Sequence, residues 1–226
     1  EILAEYVPFL AARLASMLRR GNALSALRLL NASRGQAGPA GMLARAARFI
    51  LPGGMQGAAR RLIGQDLVPD WMNGGWLAAN GVNTRAPQQP RGGRVLMSEL
   101  AESLSSRVLP ALLRYQDRNS MSYAVESRVP FLNKEIVDFV YSLPEQFLVS
   151  DGGETKSVFR AAMRGLVPDA ILNRRDKIGF ITPQDQWLRD AGGWLETMID
   201  SNAARAVPAL NHPALAKRIK GLIQGG

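Results

Sequence analysis

The chain has 226 residues, 46% of them hydrophobic, which is enough for one sizeable core or two small ones and excludes a disordered chain. Twenty-eight Lys and Arg against nineteen Asp and Glu give a net charge of +9 and a pI near 10.6, pointing to phosphates, nucleic acid, an acidic membrane surface or an acidic partner domain. The absence of Cys excludes disulfides, thiolate metal sites and a cysteine nucleophile, and a single histidine, His212, excludes His-rich zinc sites and most histidine catalysis.

Glu1 to Arg20 reads as a helix, because Ile2, Tyr6, Leu10, Leu14, Met17 and Leu18 recur at three- and four-residue spacing. Arg19 and Arg20 complement its C-terminal dipole ahead of Gly21. An opening already in helical phase and without Met is expected of a chain cut from a longer one. Asn22 is placed to cap a second helix through Leu30, and Met42 to Leu51 forms a third that stops at Pro52-Gly-Gly54. The Arg residues scattered between positions 13 and 61 form a solvated basic face or a nucleic-acid stripe; no aromatic residue is interleaved for base stacking, which favours the first. Asp70 to Trp76 is a turn carrying two Trp, read as a packing hinge. Asn80 to Gly93 has the Pro- and Gly-rich composition of an exposed loop. The expected organisation is a helical segment over 1–94, including loop 80–94, and a second over 95–226, together one truncated domain. Strict alternation is nearly absent, so the fold class is mainly α. No apolar run approaches the roughly 18–20 residues of a membrane span and no charged-then-apolar leader opens the chain, so the cytoplasm is the expected compartment.

Ser98 is placed to cap a helix with Glu102 in its first turns, and Pro110 starts or kinks another running towards Tyr123, with Leu112, Leu113 and Met121 inward. Arg114 and Arg118, four apart, are neighbours on one face, with Asp117 beside them. Val129 to Leu132 is expected to be extended, since Pro130 disfavours helix at the residue before it. Asn133 caps a helix whose buried stripe is Ile136, Val137, Val140 and Leu143, and Asp151-Gly-Gly153 makes a turn. Thr155 to Arg164 reads as a short helix. Lys156 at its start works against the dipole; it is an exposed lysine or, with the backbone N–H groups, part of an anion site. Asn173 to Lys177 is a basic loop, Thr182-Pro183 starts a helix, Trp194 to Ile199 forms another, and Ala214 to Ile223 closes the chain as a basic amphipathic helix beside a surface His212.

Asp117-Arg118 with Ser120-Met121, Glu126-Ser-Arg-Val-Pro-Phe-Leu132, Thr155-Lys156, Arg160, Lys177 and Gly179-Phe180 occur in one order. This set resembles the synthetase domain of the glutamine-hydrolysing asparagine synthetase family, over about the second half of the chain. The resemblance implies the C-terminal helical part of an adenine-nucleotide alpha-hydrolase-like (PP-loop ATP pyrophosphatase) domain, its parallel sheet mostly missing here. It implies ATP and Mg²⁺, adenylation of the aspartate side-chain carboxylate with release of pyrophosphate, and displacement of AMP by ammonia from a glutaminase domain. Lys156 then matches the catalytic lysine, supplying fixed positive charge to both transition states. Arg118 is assigned to phosphate or acyl-adenylate oxygens, which a planar fork suits. Asp117 orients Arg118 or Lys156, binds the amino-acid ammonium, or pairs structurally with Arg118. Lys177 either reaches phosphate from its basic loop or is solvated there, Arg114 is a further substrate or phosphate contact, and Glu126 and Arg128 are read as buried structural partners that fix the loop.

The family's Ser-Gly-Gly-x-Asp-Ser ATP loop, its acidic Gly-rich magnesium motif and the glutaminase cysteine are all absent. The expectation is that the nucleotide-binding half precedes residue 1 and that this chain alone is inactive. The motifs leave the acceptor open: a related amidotransferase or ring-closing synthetase with another carboxylate remains an alternative. So do a basic helical nucleic-acid module, against which the scattered charges and missing binding motif speak, and a helical domain used only for assembly.

Overall fold

The computed structural model describes residues 4, 7–35, 38–51, 55, 68–82, 92–174 and 182–224. In chain order its helices are α1 (Val7–Arg19), α2 (Ala23–Ala32), α3 (Gly38–Ile50), α4 (Gly74–Ala79), α5 (Val95–Glu102), α6 (Leu109–Met121) and α7 (Lys134–Ser142). They continue as α8 (Ser157–Ala162), α9 (Asp169–Leu172), α10 (Gln184–Asp190), α11 (Gly192–Asp200), α12 (Asn202–Arg205) and α13 (His212–Ile223). Among the described residues there is no strand, only isolated bridges, in keeping with the mainly α expectation. The chain divides into two units: Glu1–Gly64 with Gln88–Arg174, and Gln65–Pro87 with Arg175–Gly226. Packing therefore crosses the boundary expected at residue 94.

The first unit is built around α1. Every residue from Phe9 to Met17 is buried, so the helix is enclosed all round by α2, α3 and α5 instead of presenting one stripe. Leu10, Leu14 and Met17 are inward as their spacing predicts, whereas Leu18 is 40% exposed and Ile2 and Tyr6 lie outside the described residues. Leu29, Met42, Phe49, Leu96 and Leu100 complete the wall, each large side chain contributing about 1.5–3 kcal/mol by leaving water. Arg19 lies in the last turn of α1 and also ties other segments to it: Nη2 donates to Phe49 O at the end of α3 and Nη1 to Gly92 O at 3.1 Å.

A polar network runs through this core. Arg13, 6% exposed, donates from Nη1 to Glu145 Oε2 (3.2 Å), from Nη2 to Asp151 Oδ1 (3.1 Å) and from Nε to Val149 O (3.3 Å). Glu145 Oε1 accepts from Ser16 Oγ (3.1 Å) and from Met97 N (3.3 Å), and Ser16 Oγ accepts from Leu96 N (3.1 Å). Ser25 Oγ donates to Asp151 Oδ2 at 2.6 Å. The first N–H groups of α5, orphaned in any helix, thus find acceptors far along the chain, and a buried carboxylate sits at the positive end of the helix dipole. Ser98 is not the cap: it lies inside α5, its hydroxyl returning to Arg94 O at 3.1 Å.

The rest of this unit departs from the sequence reading in three places. The expected inward stripe of α6 is not formed: no residue of α6 is buried, Leu112 is 49% and Met121 55% exposed, and the helix follows a π-helical stretch, Ser103–Arg107. Val129 is near-extended (φ −123°, ψ 79°), but Pro130–Leu132 closes into a 3₁₀ turn, which proline at its first position tolerates. The helix expected from Thr155 begins only at Ser157. Asn133 does cap α7, accepting from Glu135 N at 2.8 Å, with Val140 buried and Ile136, Val137 and Leu143 half-buried.

In the second unit, Met72 bridges Leu210, Asn73 N donates to Ala209 O (2.8 Å) and Asn211 N to Trp71 O (2.9 Å). The stretch expected to be a hinge is therefore pinned, and Asn73 then caps α4 by accepting from Trp76 N at 3.1 Å. α13 packs on α10 and α11, where a Cβ at Gly192 would stand 3.0 Å from Ile223 Cγ1, so a larger residue there would require the Ile223 side chain to shift. His212 is half-buried at the start of α13, both ring nitrogens shielded and without hydrogen-bond partners, a correction to its surface placement.

Candidate functional site

Lys156 stands where a tight loop becomes a helix. Val149 and Thr155 form an antiparallel bridge around the Asp151-Gly152-Gly153 turn, and Ser150 N donates to Glu154 O at 3.0 Å. Gly153 has φ +77°, and a Cβ there would meet Ala32 Cβ at 3.2 Å, two reasons for glycine. Ser157 N donates to Leu148 O (3.3 Å) and Ser157 Oγ to Glu154 O (2.8 Å). Lys156 itself is left-handed (φ 57°, ψ 31°) at the N-cap of α8, a conformation that costs a side-chain-bearing residue about 1–3 kcal/mol. Its side chain is half-buried.

Arg160, one turn on, donates from Nε to Thr155 O (3.0 Å), from Nη1 to Leu172 O and from Nη2 to Arg174 O (3.1 Å). Phe159 meets Phe131 edge to face, ring centroids 5.4 Å apart at 86°. The structure thereby brings the Val129-Pro-Phe-Leu132 and Thr155 to Arg160 motifs together, although they are more than twenty residues apart in sequence.

The other predicted residues sit on open surface. Arg114 and Arg118 share a hollow of about 530 Å³ on α6 with Pro110, Ala111 and Tyr115, as four-residue spacing requires. Asp117 is exposed; its carbonyl accepts from Ser120 Oγ at 3.1 Å, and its carboxylate forms no ion pair with Arg118. Glu126 and Arg128 pair at 2.9 Å, but their side chains are 71% and 80% exposed, so the burial expected of them is not found. Lys177 lies outside the described residues. Among the described residues there is no group of three or more His, Asp or Glu able to hold a metal ion, and no helix long and apolar enough to cross a membrane.

The sequence profile of the family described as Asparagine synthase matches residues 7–225, nearly the whole chain. The chain belongs to the asparagine synthase family. Its similarity to "Asparagine synthetase [glutamine-hydrolyzing] 1" of Bacillus subtilis is 34% identity over 96 residues, covering 42% of this chain and 15% of that protein. Similarity to the Bos taurus asparagine synthetase is 29% over 131 residues (54% of this chain, 23% of that protein), and to the Homo sapiens enzyme 28% over 123 residues (49% and 22%). The matches thus span less than a quarter of each of these relatives' lengths. No solved structure matches.

The family profile takes in the front of the chain, where the sequence reading placed no motif. That region supplies Arg13, Ser16 and Ser25, which grip Glu145, Val149 and Asp151 immediately before the Lys156 turn. One signal was available: Arg13 interrupts an otherwise apolar run from Phe9 to Leu14, and an arginine enclosed in such a helix requires buried acceptors.

Proposed function

We propose that this chain forms part of an ATP-dependent, glutamine-hydrolysing asparagine synthetase, with Lys156 as its catalytic cation. The observation that carries the reading is the family's Thr-Lys motif on a left-handed turn, braced by loop, helix and core. Backbone strain of this kind persists only where surrounding structure over-determines it, and it clusters at functional sites.

In the first step an oxygen of the aspartate side-chain carboxylate attacks the α-phosphorus of ATP, and pyrophosphate leaves with the bonding electron pair. In the second, ammonia attacks the acyl carbon, the nitrogen loses a proton to solvent, and AMP leaves with the electron pair of the broken C–O bond. Both transition states gather negative charge on oxygen, and a fixed ammonium beside it is worth about 3–4 kcal/mol of barrier. Arg118, with Arg114, binds phosphate or adenylate oxygens on α6, Asp117 holds the amino-acid ammonium, and Lys177 adds a phosphate contact. The described residues offer no acidic cluster for magnesium and the sequence no glycine-rich phosphate loop, so these residues do not fit the metal and no step here passes through it. We assign the triphosphate cradle and the glutaminase to polypeptide outside this chain, which by itself is then inactive.

The test is aspartate-dependent pyrophosphate release from ATP by the full-length protein, wild type against Lys156→Ala. A fall of a hundredfold or more is expected. Undiminished release by the variant rules out the role given to Lys156, and release that ignores aspartate rules out the acceptor.

A further inference from the structure

Three carbonyl oxygens converge on the Arg160 guanidinium, and one of them belongs to the peptide group that contains the Lys156 nitrogen. Through Thr155 O, at 3.0 Å from Arg160 Nε, the plane before Lys156 is fixed. The plane after Lys156 is held by the first backbone bond of α8, Arg160 N to Lys156 O at 2.9 Å, which does not depend on the side chain at 160. The two remaining bonds, to Leu172 O and Arg174 O, anchor the guanidinium to the end of α9.

The conformation so held is unusual for its place. Ala124 is also left-handed, but it follows α6, where Val125 N returns to Ser120 O and a left-handed residue ordinarily ends a helix. Lys156 begins a helix, and an N-cap residue is ordinarily extended. Neither glycine nor asparagine is there to favour the turn.

We propose that Arg160 is a positioning residue for Lys156. Its planar fork of donors ties the peptide group before Lys156 to the end of α9 and so sets where the ammonium stands, without itself contacting substrate. All three nitrogens of the guanidinium are committed to backbone carbonyls. A lysine at 160 keeps the charge and lacks the fork, so Arg160→Lys separates geometry from electrostatics. This inference rests on the proposed role of Lys156.

The test uses the full-length protein and pyrophosphate release. Arg160→Lys is expected to lower kcat at least tenfold, leave KM for ATP and aspartate within twofold, and speed hydrogen exchange at the Ser157 amide. In a Lys156→Ala background the same change is expected to cost less than twofold, because the group it positions is gone. A wild-type kcat, a loss confined to KM, an equal tenfold loss without Lys156, or unchanged Ser157 exchange each overturns the proposal. Wild-type release by Lys156→Ala alone overturns the reading of Lys156, and with it this proposal, without any change at Arg160, so the two failures are told apart. Arg160→Gln serves the same comparison if the lysine variant does not fold.

Discussion

The buried network around Glu145 and the exposed helix α6 are opposites. Glu145 is 1% exposed, reached from α1 by Arg13 and Ser16 and from α5 by Met97 N, and no family motif passes through it. α6 carries the Asp117-Arg118 motif, and none of its residues is buried. Groups that determine the fold must be desolvated and satisfied at once; groups that meet a ligand must stay accessible. On the reading proposed above the two demands fall on different residues, and the Lys156 turn is where they join, since Arg13 and Ser25 hold the Val149 to Asp151 stretch that leads into it.

The sharpest way to break that contrast is Glu145→Ala. Removing the carboxylate leaves buried Arg13 with Asp151 as its one remaining carboxylate partner among the described residues and strips acceptors from Ser16 Oγ and Met97 N. A loss of about 3–5 kcal/mol in unfolding free energy is expected, as for other buried pairs deprived of one partner. Urea denaturation followed by near-ultraviolet circular dichroism measures it. A loss below about 1 kcal/mol would mean that the network relaxes or admits water.

Tyr141 tests the same principle with a smaller effect. Its hydroxyl is buried without a hydrogen-bond partner, and burial pushes its pKa from 10.0 to about 12. The neutral form is the one the fold accepts, so the folded state holds the phenol proton more tightly than the unfolded state does. Stability from this group is complete below pH 10 and is lost as pH rises from 10 towards 12. Tyr141→Phe is expected to be as stable as wild type or more so at pH 8. Between pH 10 and 12 the wild type should fall away relative to the variant; parallel curves would show that the hydroxyl reaches solvent or a partner.

Helices were legible where periodicity and local caps determined them: the inward Leu10, Leu14 and Met17 of α1, the Asn133 cap of α7 and the basic helix α13. What failed was set at long range. Ser98 looked like a cap because Glu102 follows it, yet α5 starts three residues earlier, its first N–H groups served by Ser16 and Glu145. Leu112 and Met121 have core spacing, but spacing reports a face and not what covers it. In the candidate site, the proximity of Arg114 to Arg118 was readable from a four-residue interval. The left-handed Lys156, the grip of Arg160 and the pairing of Phe131 with Phe159 were not, because each depends on where the chain returns after twelve residues or more or on a dihedral that sequence does not disclose.

The smallest expected effect lies at Glu126 and Arg128, in the motif yet on the surface. Their 2.9 Å contact has ideal length, but with side chains 71% and 80% exposed, water competes for both partners and salt screens them. Pairs of this kind contribute about 0–1 kcal/mol, so Glu126→Ala is expected to shift unfolding free energy by less than about 0.5 kcal/mol. That separates two reasons for the pair's place in a motif. If stability holds while pyrophosphate release by the full-length protein drops, the pair serves a ligand or a neighbouring surface; if stability drops by about 2 kcal/mol or more, the pair is enclosed in solution and belongs with Glu145 instead.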